Sequence, residues 1–246
     1  ALAVFAASIT ALLFTQTRGA TLGAVVGGVT AVCFWLAAKV SSDIRGRRRV
    51  VVVFSLAVVL GVVLIAFRHT EFVRKLPGIN RLVTISVRET SASERLLLWR
   101  VALRGFAARP VLGWGPENFD YVFDRYYDPY FLNFSIGETW SDRAHNSFLD
   151  ILTMTGIVGL AVYTFLIGAV AQKLWRDTRT KNFPEAPPLA GLLVAYLVSN
   201  FFAFDSPSSA LLFFFLFGLI AARGREFVSQ KVRKSESQRE VLPPQA

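Results

Sequence analysis

Trp140-Ser141-Asp142-Arg143-Ala144-His145-Asn146, then Ser147-Phe148-Leu149-Asp150, then the run Ile151 to Ala171, is the junction on which the fold turns. A long polar loop ends there and an apolar run begins. Ile151 to Ala171 contains no charged residue. A helix of that length matches the roughly 30 Å hydrocarbon core of a bilayer. His145 therefore stands where a membrane helix starts, with Arg143 beside it and water on one side.

Outward from this junction, the chain of 246 residues is 53% hydrophobic, with a mean hydropathy of +0.46. That is too apolar for a soluble domain of this size, and the apolar residues are grouped in runs. Ala1 to Thr15 is short for a span and reads as the end of a truncated helix. Thr21 to Ala38, Val50 to Phe67, Ser147 to Ala171, Pro187 to Phe204 and Ala210 to Ala222 follow as further runs. The expected fold is an all-α membrane protein of polytopic transmembrane helices with a large, partly helical periplasmic loop. Residues 1–67 hold three transmembrane helices, 68–146 the loop, 147–222 three more helices, and 223–246 a basic, disordered cytoplasmic tail. Gly23 and Gly27, four apart, predict close helix packing. No signal peptide is visible.

The net charge of +10 would point a soluble protein towards nucleic acid. Here the charges gather in short loops between apolar runs, which is a topology signal, so no nucleic-acid partner is expected. The segments 39–49 and 172–186 and the tail are strongly basic, which makes them cytoplasmic. Arg18, the loop 68–146 and Asp205 then share the opposite face, on which His145 also lies. Cys33 is the only cysteine, which excludes an intramolecular disulfide and a cysteine-type metal site.

Within the loop, residues 93–108 read as a helix. Leu96, Trp99, Leu103 and Phe106 repeat at spacings of three and four, so they share one face. Ser91 or Ser93 is placed to cap it. Arg95, Arg100, Arg104 and Arg109 surround the stripe, so the helix reads either as an interfacial anchor or as the carrier of an arginine turned inward to phosphate. Pro110-Val111-Leu112-Gly113-Trp114-Gly115-Pro116 ends it in a turn. The aromatic run from Phe119 to Trp140 suits loop packing, an interface belt or sugar stacking. Asp120, Asp124, Asp128 and Glu138 show no metal-ligand spacing, so no metal and no cofactor are expected.

His145 is the residue best placed for chemistry; His69, just after a span, reads as structural. Neighbouring arginines disfavour a further cation and hold the imidazole neutral at neutral pH, where it can take a proton from a hydroxyl. Arg18 is the only charge between Ala1 and Ala38. It reads either as a snorkelling helix-end arginine or as a functional cation whose planar fork suits a pyrophosphate.

Thr17-Arg18-Gly19-Ala20 after a span, Arg95-Leu96-Leu97-Leu98-Trp99, Arg109 to Gly115, and Ala144-His145-Asn146 followed by Thr155-Gly156-Ile157-Val158-Gly159-Leu160 together resemble the O-antigen ligase and polymerase family. That family includes bacterial protein O-oligosaccharyltransferases. The resemblance runs from about residue 1 to 222 and rests on the order, spacing and shared face of motifs that are individually weak. It implies a C-type, metal-independent, inverting glycosyltransferase of the bacterial inner membrane. The donor would be a glycan on undecaprenyl pyrophosphate, and the acceptor a glycan, the lipid A core or a protein. By resemblance, Arg18 and Arg95 hold the pyrophosphate and His145 activates the acceptor hydroxyl. Asp142 and Asn146 are candidates for orienting the imidazole. Arg143, Trp114 and Asp205 are further candidate contacts, though a turn cap suits Asp205 better. Thr17 stands where the family usually has Ser, and the six runs are fewer than the family's spans. The chain by itself is therefore expected to lack part of the lipid groove and to be inactive alone. Two other classes remain open: a transporter or flippase, against which the near absence of ionisable residues within the runs argues, and a non-catalytic assembly subunit.

Overall fold

The computed structural model describes residues 7–8, 10–12, 17–39, 48, 52, 70, 90–134, 140–180 and 183–222. The readings of Ala1 to Thr15, Val50 to Phe67, His69 and the tail lie wholly or almost wholly outside them. The described residues contain helices and no strand: α1 (Arg18–Lys39), α2 (Thr90–Ala108), α3 (Phe119–Arg125), a short 3-10 turn (Pro129–Asn133), α4 (Ser147–Thr180), α5 (Ala186–Phe201) and α6 (Pro207–Ala222). Two stretches, Gly19–Ala37 in α1 and the whole of α4, are long and apolar enough to cross a membrane. At 16 residues, α5 covers about 24 Å and is shorter than a usual span.

Gly23 and Gly27 do bring helices together. A Cβ on Gly23 would lie 2.5 Å from the Ala195 carbonyl oxygen, and one on Gly191 would lie 2.5 Å from the Gly27 carbonyl oxygen. The backbones of α1 and α5 are thus in direct contact, which a larger side chain at any of these positions would prevent. Leu174 of α4, Ala190 and Leu193 of α5, and Phe213, Leu216 and Ile220 of α6 form one buried cluster. Tyr196 stacks on Phe213 at 4.1 Å, and Phe34 of α1 meets Trp175 of α4 edge-on at 5.2 Å. These contacts make α1 and α4 run in one direction and α5 in the other. The basic residues Lys173, Arg176 and Arg179 of α4 stand at the Trp175 end.

The loop has its own core: Leu97, Leu98, Val101 and Ala102 of α2 pack on Phe119, Val122, Phe123, Phe131, Ala144 and Met154. The expected stripe lies largely outside this core. Leu96 and Leu103 are exposed, while Trp99 and Phe106 are half-buried. The helix carries two apolar faces, and the one that packs on α3 and α4 is the neighbour of the one with the regular spacing. Its start is three residues earlier than expected, at Thr90.

Two further boundaries differ from expectation. The helix after the junction continues past Ala171 to Thr180, through most of the basic segment expected as a loop. Lys173 pairs with Asp177 at 2.6 Å across one turn, and Arg176 donates to Gln172, so polar pairs on one side and buried Leu174 on the other carry the helix on. The last helix begins at Pro207, not Ala210. Ser206 accepts from the Ser209 N–H as its cap, and Pro207 fills the first helical position.

α4 is broken at Gly156, whose φ of 66° and ψ of −166° are not helical. The Pro110–Gly115 turn fills the break. Trp114 N–H donates to the Thr153 carbonyl (3.1 Å) and Gly115 N–H to Met154 (2.8 Å). Ile157 N–H donates to Pro110 (2.8 Å) and Val158 N–H to Val111 (3.4 Å). Groups freed on both sides of the interruption are thereby paired, as a break in an apolar helix requires. Gly113 and Gly156 both sit at positive φ, and a Cβ on either would strike the other segment's backbone. The two glycine-containing motifs of the sequence are therefore the two halves of one clasp.

Candidate site at the junction of α1, α2, α4 and α5

His145 is one residue caught between two fixed neighbours. The Ala144 N–H donates to Asp150 Oδ1 at 2.7 Å. Asn146 is buried, and its Oδ1 accepts from the N–H groups of Phe148 (3.0 Å) and Leu149 (3.2 Å), capping α4. Between them His145 adopts a φ of +53°, a conformation that non-glycine residues rarely hold. The ring is half-buried and tilts against Phe204 at 5.3 Å. Arg143 forms an ion pair with Glu117 at 2.5 Å and points a second nitrogen at Met154 Sδ.

The segment from Ser199 to Phe204 is the hub on which the candidate elements meet. Ser147 donates its N–H (3.1 Å) and its hydroxyl (3.3 Å) to the Ala203 carbonyl. Phe148 lies 6.4 Å from Phe201. Trp99 of α2 meets the same Phe201 edge-on at 5.5 Å. A Cβ on Gly19, the second residue of α1, would be 3.1 Å from Phe202 Cβ and 3.3 Å from the Ser199 carbonyl oxygen. The backbone of Arg18 therefore begins its helix at this hub. Half-buried Arg95 precedes Trp99 by one turn of α2. Segments far apart in sequence, carrying Arg18, Arg95 and His145, thus meet at one end of the helical bundle.

Other candidates are engaged elsewhere. Trp114 donates its indole N–H to the Gly105 carbonyl at 2.8 Å and lies in the clasp, with the Arg109 guanidinium 4.2 Å from its ring centre. Asn146 uses its carbonyl oxygen on the helix cap, and Asp142 is exposed. Asp205 accepts from the hydroxyls of Tyr196 and Ser209, which gives it the turn-bracing role. Among the described residues, no group of three His, Cys, Asp or Glu could hold a metal ion.

Sequence reading missed two groups at the hub. The indole N–H of Trp99 and the side-chain amide nitrogen of buried Asn200 find no acceptor among the described residues. A third such group, the Thr178 hydroxyl, is near the far end of α4. Buried donors without acceptors cost about 1–3 kcal/mol each, so two beside one junction call for an explanation. Asn200 was open to notice as the lone amide in the apolar run Pro187 to Phe204. In the sequence Trp99 reads only as part of an apolar face.

No curated protein and no solved structure matches the chain. The arginine helices, the clasp and the strained histidine all fall within residues 3–164, which match the family described as O-antigen ligase, and the chain belongs to that family.

Proposed function

We propose that the protein moves a glycan from undecaprenyl pyrophosphate to an acceptor hydroxyl at the periplasmic face of the bacterial inner membrane. The observation that carries this reading is the hub itself. Two helices bearing arginines, two buried N–H donors without acceptors among the described residues and a half-buried imidazole adjoin a single segment, Ser199 to Phe204. Buried N–H donors beside arginine-bearing helices suit an anionic leaving group. Arg18 and Arg95 neutralise the pyrophosphate as its charge grows, and the N–H groups of Trp99 and Asn200 are further donors to it once the junction opens to admit the donor.

In this mechanism the acceptor oxygen attacks the anomeric carbon from the face opposite the pyrophosphate. The bond from that carbon to the phosphate oxygen breaks, with inversion. The hydroxyl proton passes to the imidazole of His145, and undecaprenyl pyrophosphate leaves with the electron pair. The left-handed backbone at His145 keeps the ring at the mouth of the junction, outside the helix that follows.

The test uses purified full-length protein in nanodiscs, a defined lipid-linked glycan and competing glycan, lipid A core and peptide acceptors. His145→Ala is expected to lower transfer by roughly 10²–10⁴-fold with donor binding kept. Arg18→Ala and Arg95→Ala are expected to weaken donor binding or abolish turnover. Undiminished transfer by His145→Ala removes the base, and normal kinetics in both arginine variants removes the phosphate assignment.

A further inference from the structure

The clasp has an outer edge that the chemistry at the hub does not use. At its tip Val111 is 58% and Leu112 73% exposed, although both are large and apolar. The tip is paired to α4 at Ile157 and Val158, the first residues of the segment below the Gly156 break. Ile157, Val158, Val162 and Phe165 are exposed as well. That strip continues along the uncharged part of α4 towards Lys173, and in a membrane protein it faces lipid. The exposed tip is therefore continuous with the lipid-facing strip, whichever way the helix axis bends at Gly156.

Depth follows from the same pairing. Ile157 lies about 9 Å along the helix from Ile151, where the uncharged run begins. An interfacial apolar element sinks about 5–10 Å into the headgroup and acyl boundary. Directly behind the tip, the exposed guanidinium groups of Arg109 and Arg125 lie 4.2 Å and 5.8 Å from the Trp114 ring centre. Cations and an indole just above an apolar tip are the residue types that anchor at a lipid headgroup layer.

We propose that the Pro110–Leu112 turn dips into the leaflet on the His145 side of the membrane, with Val111 and Leu112 among the upper acyl carbons. Arg109 and Arg125 then lie at the phosphate level. The partner is the lipid surface. The consequence is positional: the clasp pins the soluble core of the loop to α4 at a set height, and with it the level of His145 above the acyl chains.

The experiment labels Leu112→Cys with an environment-sensitive fluorophore, in full-length protein carrying Cys33→Ala, in nanodiscs of mixed phosphatidylcholine and phosphatidylglycerol. Tyr121→Cys, on the exposed side of α3, serves as the water reference, and Phe165→Cys as the deep reference. Quenching is read with shallow-nitroxide lipid, deep-nitroxide lipid and aqueous iodide. The Leu112 label is expected to be quenched most by the shallow nitroxide and little by iodide, and a Val111→Cys label is expected to repeat the pattern. Iodide quenching equal to that at Tyr121 would put the turn in water and overturn the proposal. Shielding from iodide and from both nitroxides would show that protein covers the tip, and would overturn it equally. Glycosyl transfer is unaffected by either result, so this test stands apart from the catalytic one.

Discussion

His145 is held in a left-handed conformation by neighbours that cannot relax: Ala144 is tied to Asp150, and Asn146 is committed to the cap of α4. A non-glycine residue so placed stores about 1–3 kcal/mol, and such strain persists only where surrounding bonds over-determine it. His145→Gly is therefore expected to raise the thermal midpoint by a few degrees while abolishing transfer, whereas His145→Ala loses transfer without the gain. Thermal unfolding in detergent alongside transfer assays separates the two; a His145→Gly variant less stable than His145→Ala would mean the backbone is unstrained. Asp150→Ala should cost about 1–3 kcal/mol, because the buried Ala144 N–H loses its acceptor. Asp150→Asn keeps an amide oxygen there and should retain most activity. Failure of that rescue would leave the carboxylate a role beyond its hydrogen bond.

The two orphan donors give a prediction of opposite character. Trp99→Phe keeps the ring contact with Phe201 and deletes the unpaired N–H, and Asn200→Leu removes the side chain whose amide nitrogen has no acceptor among the described residues. If these groups serve the substrate, both variants fold as well as or better than the parent, while donor KM rises. Stability losses with unchanged KM would make them structural. Here the limits of sequence show plainly. His145 and Arg18 are conspicuous in the chain, as an imidazole and a charge beside apolar runs, whereas Arg95 stands out from Arg100, Arg104 and Arg109 only through the family resemblance. That Arg143 is engaged in an ion pair is not legible there, since its partner Glu117 is fixed by tertiary contact, whereas the turn role of Asp205 is local and is read from the chain.

At the level of elements, the clasp is the least conventional part of the fold. Gly156 and Gly113 combine positive φ with backbone approaches that leave no room for a Cβ. Gly156→Ala is expected to cost at least about 2 kcal/mol in thermal unfolding and to lower transfer by displacing the half of α4 that follows His145. Gly168→Ala, on the same helix with open space around it, is the control and should be neutral or mildly stabilising. Equal behaviour of the two variants would show that the break is not needed. The Pro110–Gly115 half is legible as a breaker by its proline and glycines, whereas Gly156 is not, since it lies in a run that reads as one continuous span. The pairing of the two halves is not legible either, because backbone hydrogen bonds between remote segments carry no side-chain signature. The same holds for α2: periodicity located the helix, but with apolar residues on two faces only the packing of α3 and α4 decided which was buried.

For the whole molecule, the governing fact is that α1 and α4 run together and α5 runs against them, so Arg18 and His145 share one end while Lys173, Arg176 and Arg179 hold the other. Hydropathy and the placement of basic residues lead to the expectation that these two ends face opposite sides of a bilayer, because crossing it constrains length and charge. The sidedness follows as a measurable outcome. In a Cys33→Ala background, Asp142→Cys on the exposed flank of His145 should react with a membrane-impermeant maleimide in right-side-out vesicles and be protected in inverted ones. Arg176→Cys, on the basic end of α4, should show the reverse. Cys33 must be replaced because it is exposed on the surface of α1 and would add a background signal. Reaction of both sites from the same side would mean that α4 does not cross the membrane. His145 could then no longer be separated from the cytoplasm by the bilayer, and transfer at the outer face would have to be abandoned even if the hub contacts were correct.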